Sequence, residues 1–235
     1  MTFQFKQFSI KQDQTAMKVG TDGVLLGAWT ALNDNLYSVL DIGTGTGLIA
    51  LQIAQRSNAE LIDAIEIDNL AFEQAVGNFE ESDWSDRLYC YHTSLSDFTK
   101  EIEDKYDLII SNPPFYNDAY KSKNESRNTA RLTTSLPFSE LLFSVNQLLS
   151  SHGAFSVIIP FKEENQFITL AKENNLYPKR ICHVKGNNRT DFKRSLLEFT
   201  FRKEKIITSE LIIEIERHQY TKEYIDLVKG FYLKM

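Results

Sequence analysis

Apolar positions along the chain alternate between two spacings. Val39–Ile42, Leu61–Ile67, Leu88–His92 and Tyr106–Ser111 are short, nearly continuous apolar runs, whereas in Gly47–Arg56 and Leu70–Glu81 apolar residues recur every three or four positions. The first pattern predicts buried strands and the second predicts helices with one apolar face. Strand and helix taking turns is the rhythm of a parallel sheet with crossover helices, an α/β architecture. After Ser111 comes a polar stretch, Asn117–Thr134, longer than a plain connection and of the kind that forms lids or binding loops or stays disordered. A helix over Phe138–Ser150, a strand Ala154–Pro160 and a helix Glu163–Asn174 follow. Strands at Tyr177–Lys185 and Ser195–Arg202 flank the turn residues Gly186-Asn187-Asn188-Arg189, which predicts an antiparallel hairpin at the end of the sheet. A further apolar alternation spans Leu211–Glu216, and a short amphipathic segment spans Lys222–Leu227.

With 42% apolar and 25% charged residues, the 235-residue chain has the composition of a globular protein able to bury a full core, and one domain is expected. No run approaches membrane-spanning length, and Met1–Lys6 lacks the basic and apolar regions of a secretory signal, so the expected location is the cytoplasm. Cys90 and Cys182 lie in separate apolar runs without metal-type spacing; they are expected as reduced core thiols, and no metal site is expected.

The net charge of −6 hides a division along the chain. Lys and Arg stand against Asp and Glu as 7 to 19 in residues 1–119, 15 to 8 in residues 120–205, and 4 to 5 in residues 206–235. Lys121, Lys123, Arg127, Arg131, Lys179, Arg180, Lys185, Arg189, Lys193 and Arg194 either meet phosphates on one face or form an ordinary solvated surface.

Two short segments carry chemistry. Val39-Leu40-Asp41-Ile42-Gly43-Thr44-Gly45-Thr46-Gly47 is a strand running into a glycine-rich turn and a helix. Gly43, Gly45 and Gly47 allow the backbone to approach a ligand, while Asp41 either accepts hydrogen bonds from the loop or a cationic ligand, or ties the turn down. Glu66, at the end of the next strand, is placed to take the hydroxyls of a ribose. Leu48 stands where a dinucleotide fingerprint has its last glycine, which favours S-adenosylmethionine over NAD. The second segment, Asn112-Pro113-Pro114-Phe115, follows a strand directly. An amide acceptor, a stiff backbone with few donors and an aromatic ring suit a planar amine such as a flipped-out base.

The order Asp-x-Gly-x-Gly-x-Gly, strand-end Glu, then Asn-Pro-Pro-aromatic resembles the Rossmann-like amino methyltransferases. Phe5-Lys6-Gln7-Phe8 and the run Gln14–Trp29 resemble the bacterial tRNA1(Val) adenine-37 N6-methyltransferase family closely, and the resemblance continues through Arg127–Arg131 to Phe231-Tyr232-Leu233. It implies a class I methyltransferase fold with a mostly parallel seven-stranded sheet and helices on both faces. Residues 1–38 would cap the cofactor and substrate sides of a core spanning residues 39–235. S-adenosylmethionine would be held by Asp41, Gly43, Thr44, Gly45, Gly47, Glu66, Ile67, Ser94, Leu95 and Asn112. The amine would meet Asn112, Pro113, Pro114 and Phe115, and a valine tRNA would meet Lys121, Lys123, Arg127, Arg131, Arg189 and Arg194. The sequence departs from the family pattern at Phe115, where Tyr is commoner, and at Ser94-Leu95-Ser96, where relatives often have Asp.

Four other functions compete. Glutamine N5-methyltransferases share Asn-Pro-Pro-aromatic but usually carry a helical N-terminal domain, where only residues 1–38 precede the first core strand here. Adenine methylation of another nucleic acid uses the same four residues. A dinucleotide oxidoreductase is disfavoured by Leu48, and a tRNA-binding module without turnover by the intact Asn112 motif.

Overall fold

A hairpin of β1 (Thr2–Gln4) and β2 (Ser9–Lys11) and a helix, α1 (Thr21–Trp29), precede the main sheet in the computed structural model, which describes residues 2–15, 17–114 and 136–235. The first half then runs β3 (Ser38–Ile42), α2 (Leu48–Arg56), β4 (Leu61–Glu66), α3 (Asn69–Glu80), β5 (Leu88–His92), α4 (Leu95–Glu101) and β6 (Tyr106–Ser111). The second half comprises α5 (Phe138–Leu148), β7 (Leu149–Pro160), a 3-10 turn at Phe161–Glu163, α6 (Glu164–Glu173), β8 (Tyr177–Lys185), β9 (Arg194–Thr200) and β10 (Ile207–Ile212). A small pair, β11 (Glu214–Glu216) and β12 (Gln219–Tyr220), leads into α7 (Lys222–Val228). Among the described residues, no helix is long and apolar enough to cross a membrane.

Eight strands form one sheet in the order β10-β8-β9-β7-β6-β3-β4-β5. From β7 to β5 every pairing is parallel, and β9 lies antiparallel to both β7 and β8. The chain leaves β3 for β4 on one side and returns to β6 on the other, so strand order reverses between β3 and β6. Ligands of open α/β sheets bind at such a point, beyond the carboxyl ends of the strands.

Strand alternation sorts the core onto two faces. Leu108 and Ile110 of β6 join the cluster that also holds Val24, Leu51 and Val228 of α1, α2 and α7, with Phe5, Phe8 and Ile10 of the N-terminal segment. Ile109, between them, joins the opposite cluster with Phe98, Leu142 and Phe167 of α4, α5 and α6.

The structure adds elements that the apolar pattern did not predict. Residues Gly23–Ala28 of α1 are all buried, so the helix has no polar face to generate a period. Gly23 and Gly27, four residues apart, share one helix face, and a Cβ at Gly27 would collide with the Gln52 side chain of α2. The expected seven-stranded sheet gains an eighth strand, because β10 pairs in parallel with the outer side of β8. Residues Ile207–Glu210 are exposed, as an edge strand permits, and the hairpin β8–β9 is therefore internal to the sheet.

Among the described residues, the basic positions do not all share one face. Arg180 donates to Glu198 through Nε at 2.8 Å and Nη2 at 2.5 Å, and its guanidinium lies 4.1 Å from the centre of the Trp29 ring. Lys179 pairs with the same carboxylate at 3.2 Å. Both cations thus pair within the protein, near the end of β8 away from the switch point. The Glu198 side chain is 2% exposed, and removing its fork leaves a buried charge undercompensated. Arg180→Ala is expected to destabilise the protein by about 3 kcal/mol, seen as a lower urea midpoint, with Glu198→Gln recovering part of the loss. A loss below about 0.5 kcal/mol would contradict this account.

Candidate active site

The carboxyl ends of β3, β4 and β6 bring the two chemistry-bearing segments together. Ile42 and Ser111 are paired in register, and Ser111 Oγ donates to the Ile42 carbonyl at 3.0 Å. Gly43 and Asn112 are the first residues beyond the ends of these two adjacent strands.

The glycine turn is held by bonds made within the protein. Gly43 N–H and Thr44 N–H both donate to the Ile65 carbonyl, at 3.0 and 3.1 Å. Glu66 accepts from Gly45 N–H through Oε2 and from Ile67 and Asp68 N–H through Oε1, each at 2.9 Å. Gly43, Gly45 and Gly47 all have positive φ, at 71°, 59° and 81°. A Cβ at Gly45 would meet nothing within 4 Å, so only its backbone conformation demands glycine, whereas one at Gly47 would also press on the Phe79 ring. The turn presents open backbone toward the carboxyl edge.

Asp41 lies beneath this turn. Its Oδ2 accepts from Thr44 Oγ1 at 2.6 Å, and its buried Oδ1 has no hydrogen-bond partner among the described residues. Burial pushes the carboxyl up to about 7, Glu66 adds repulsion, and the bonds from Thr44 and the Ala50 backbone oppose the rise.

Asn112 is half-buried, and its buried Oδ1 is likewise unpartnered among the described residues. Pro113 beside it is buried and Pro114 half-buried. A Cβ at Gly23 would lie 3.1 Å from Leu48 Cδ2 and 3.9 Å from Asn112 Nδ2. The start of α1 therefore lies against Leu48 and beside Asn112.

The remaining expected residues divide. Ile67 is exposed and follows Glu66 at the mouth of the turn. Ser94 is the N-cap of α4, accepting from Asp97 N–H at 3.1 Å and donating to Asp97 Oδ2 at 2.7 Å, while Leu95 is buried. Arg189 is exposed in the β8–β9 turn, and Arg194 pairs through Nε with Asp22 of α1 at 2.8 Å. Phe115, Lys121, Lys123, Arg127 and Arg131 lie outside the described residues, as does the polar stretch 117–134.

Two residues that the sequence did not single out tie the N-terminal segment to the turn. Asn78 of α3 accepts from Lys11 N–H at 2.9 Å and donates to the carbonyls of Lys11 and Thr46 at 3.0 and 2.8 Å. One turn earlier, Gln74 accepts from Gln14 N–H at 3.0 Å. Both amides are buried on a helix face between apolar neighbours, and their i, i+4 spacing is the signal that could have found them.

Asp41 gives the ligand-free protein a pH dependence whose sign is fixed. An unfolded chain releases the Asp41 proton near the ordinary 3.8, whereas the folded protein keeps it to about 7. The folded state binds more protons across that window, so Asp41 lowers stability progressively as pH rises through it. Thermal unfolding is expected to show Asp41→Asn gaining on the wild type between pH 4 and pH 7, with a constant gap above. Parallel curves would contradict the assignment.

Comparison with known proteins supplies the identity of this arrangement. A family model described as "Methyltransferase small domain" matches residues 22–135. The tRNA1(Val) (adenine(37)-N6)-methyltransferase of Flavobacterium psychrophilum is 59% identical over 233 residues, which cover 99% of this chain and 100% of that relative. The proteins of the same name from Bacteroides fragilis and Pseudoalteromonas translucida are 46% and 42% identical, covering 99% of this chain and 98% and 99% of theirs. Among solved structures, a predicted O-methyltransferase from Agrobacterium tumefaciens superposes with a TM-score of 0.70 at 18% identity, covering 89% of this chain and 96% of that one, a likeness of fold. The fold is that of class I S-adenosylmethionine-dependent methyltransferases, and with this identity sustained over its whole length the chain belongs to the family of tRNA1(Val) (adenine(37)-N6)-methyltransferases.

Proposed function

We infer that the protein transfers the methyl group of S-adenosylmethionine to N6 of adenine 37 in the anticodon loop of tRNA1(Val), working in the cytoplasm. The observation that carries this is Asn112 Oδ1, a buried acceptor without a partner among the described residues, one strand from an open glycine turn. A buried acceptor left unpaired costs about 1–3 kcal/mol, and an amine N–H entering the site would remove that cost.

The residues fit the cofactor. Gly43 and Gly45 offer backbone that a side chain would otherwise screen, with room above them. Glu66 spends three acceptor positions on loop amides, so a ribose hydroxyl bonds to its remaining lone pair or displaces the Gly45 amide. Bound there, S-adenosylmethionine supplies a methyl already activated by its sulfonium.

The protein's task is then to make a poor nucleophile react. The N6 lone pair of adenine is delocalised into the ring. Asn112 Oδ1 and the Pro113 carbonyl accept the two amine hydrogens, which concentrates the lone pair on nitrogen and aims it along the line of transfer. The prolines hold both acceptors in place, Phe115 stacks on the flipped base, and the amine proton leaves after the bond has formed. Residues 1–38 cap the site through the start of α1, with residues 39–235 as the core. The tRNA backbone follows the basic positions Lys121, Lys123, Arg127, Arg131, Arg189 and Arg194; the last also braces α1 through Asp22.

Labelled methyl from S-adenosylmethionine, offered unmodified bulk tRNA with purified release factor as a competing acceptor, is expected to appear as N6-methyladenosine in valine tRNA. Label in protein would reassign the enzyme to glutamine, and label in other RNA would reassign its target. Asn112→Ala is expected to lower kcat by about 100-fold or more. Cofactor binding by the turn should survive, and substantial residual turnover would refute the lone-pair account.

A further inference from the structure

Beyond the carboxyl end of β7 lies a group of rings that belongs to neither core. Phe161, Phe192 and His183 contact one another, with centroids 5.3 Å apart for the two phenylalanines and 5.0 and 5.3 Å from His183 to each. Neither phenylalanine packs against either hydrophobic cluster, and Phe161 is 37% exposed. The group is fixed from behind. His183 Nε2 lies 2.9 Å from Glu164 Oε2, which also accepts from Ser195 Oγ at 2.5 Å, and Phe161 N–H donates to the Lys193 carbonyl at 3.1 Å.

A continuous chain of contacts leads from these rings to the amine site. Phe161 bonds to Lys193, whose carbonyl also accepts from Arg194 Nη1 at 3.0 Å. Arg194 pairs with Asp22, and Asp22 adjoins Gly23, which faces Asn112. β7 is also the immediate neighbour of β6, a separation of about 5 Å between strands. Lys162, Lys185, Arg189 and Lys193 each lie within three residues of one of the rings in sequence, against Glu163, which pairs with Lys162 at 3.8 Å, Glu164, which is engaged by His183 and Ser195, and Asp191. Lys185 Nζ sits 5.1 Å from the centre of the Phe192 ring. An exposed ring backed by a half-buried one, with a lysine against it and beside a site that takes a base out of its stack, has the chemistry of a single-stranded nucleic-acid surface.

We propose that Phe161 and Phe192 form a stacking platform for an unpaired anticodon-loop base next to the adenine being methylated, an inference that rests on the tRNA substrate assigned above. Extracting one base leaves its neighbours without a stacking partner, and the platform replaces what they lose. Lys185 and Lys193 hold the adjoining phosphates.

The test uses the full-length protein and an unmodified anticodon stem-loop of valine tRNA, with affinity measured across a series of salt concentrations. Phe161→Ala is expected to weaken binding about tenfold, leaving the salt slope and cofactor affinity unchanged, because a stacked base displaces no counterions. Phe161→Leu, which keeps apolar bulk without a flat ring, should behave as Phe161→Ala, and Phe161→Trp as the wild type. Lys193→Ala should instead lower the slope by about one. Wild-type affinity in both Phe161→Ala and Phe161→Leu, or wild-type affinity in Phe161→Leu alone, would overturn the platform. A wild-type protein that methylates no tRNA would overturn the substrate assignment itself.

Discussion

The register between β3 and β6 is the constraint on which the site depends. Ile42 lies opposite Ser111, and the Ser111 hydroxyl closes that pair. Side chains alternate faces along a strand, so a slip of one residue would turn β6 over and exchange Leu108 and Ile110 with Ile109 between the two cores. The fit of these side chains in the two cores and the Ser111 bond fix the register, and the register sets Asn112 next to the glycine turn. The relative placement of the two segments is thus enforced by packing well below them.

The N-terminal segment is held by a different kind of force. Its backbone polar groups would be unsatisfied against an apolar surface, and Asn78 and Gln74 supply the missing partners. Asn78 also binds the Thr46 carbonyl, so one amide side chain links the segment to the turn. Gly23 and Gly27 then let α1 approach α2 closely enough for its first turn to reach Asn112. Small residues on one element and paired amides on another cooperate to hold the N-terminal segment beside Asn112 and the glycine turn.

What was legible in the sequence was what is local. The parallel strands, the glycine turn and Asn112 follow from runs of adjacent residues, and the structure brings them together at the switch point. Contributions from distant elements were not legible. α1 is buried on nearly every side and so lacks a period, while β10 is an exposed edge that needs no apolar alternation. Charge counted along the chain also failed to separate Arg180 from Lys185. They share one strand, yet five residues of extended chain place them about 17 Å apart, one clamped on Glu198 and one beside the rings of the platform. Phe161 and Phe192 are separated in sequence and meet only because β9 runs back alongside β7.

Glu66 engages three backbone amides of the turn without help from any ligand. The loss of backbone freedom needed to shape the turn is therefore incurred during folding, so a cofactor bound there by the proposed route would meet a turn already formed. Encounter rates should then vary little among variants that leave this carboxylate intact, and differences in cofactor affinity should arise from how long the cofactor stays.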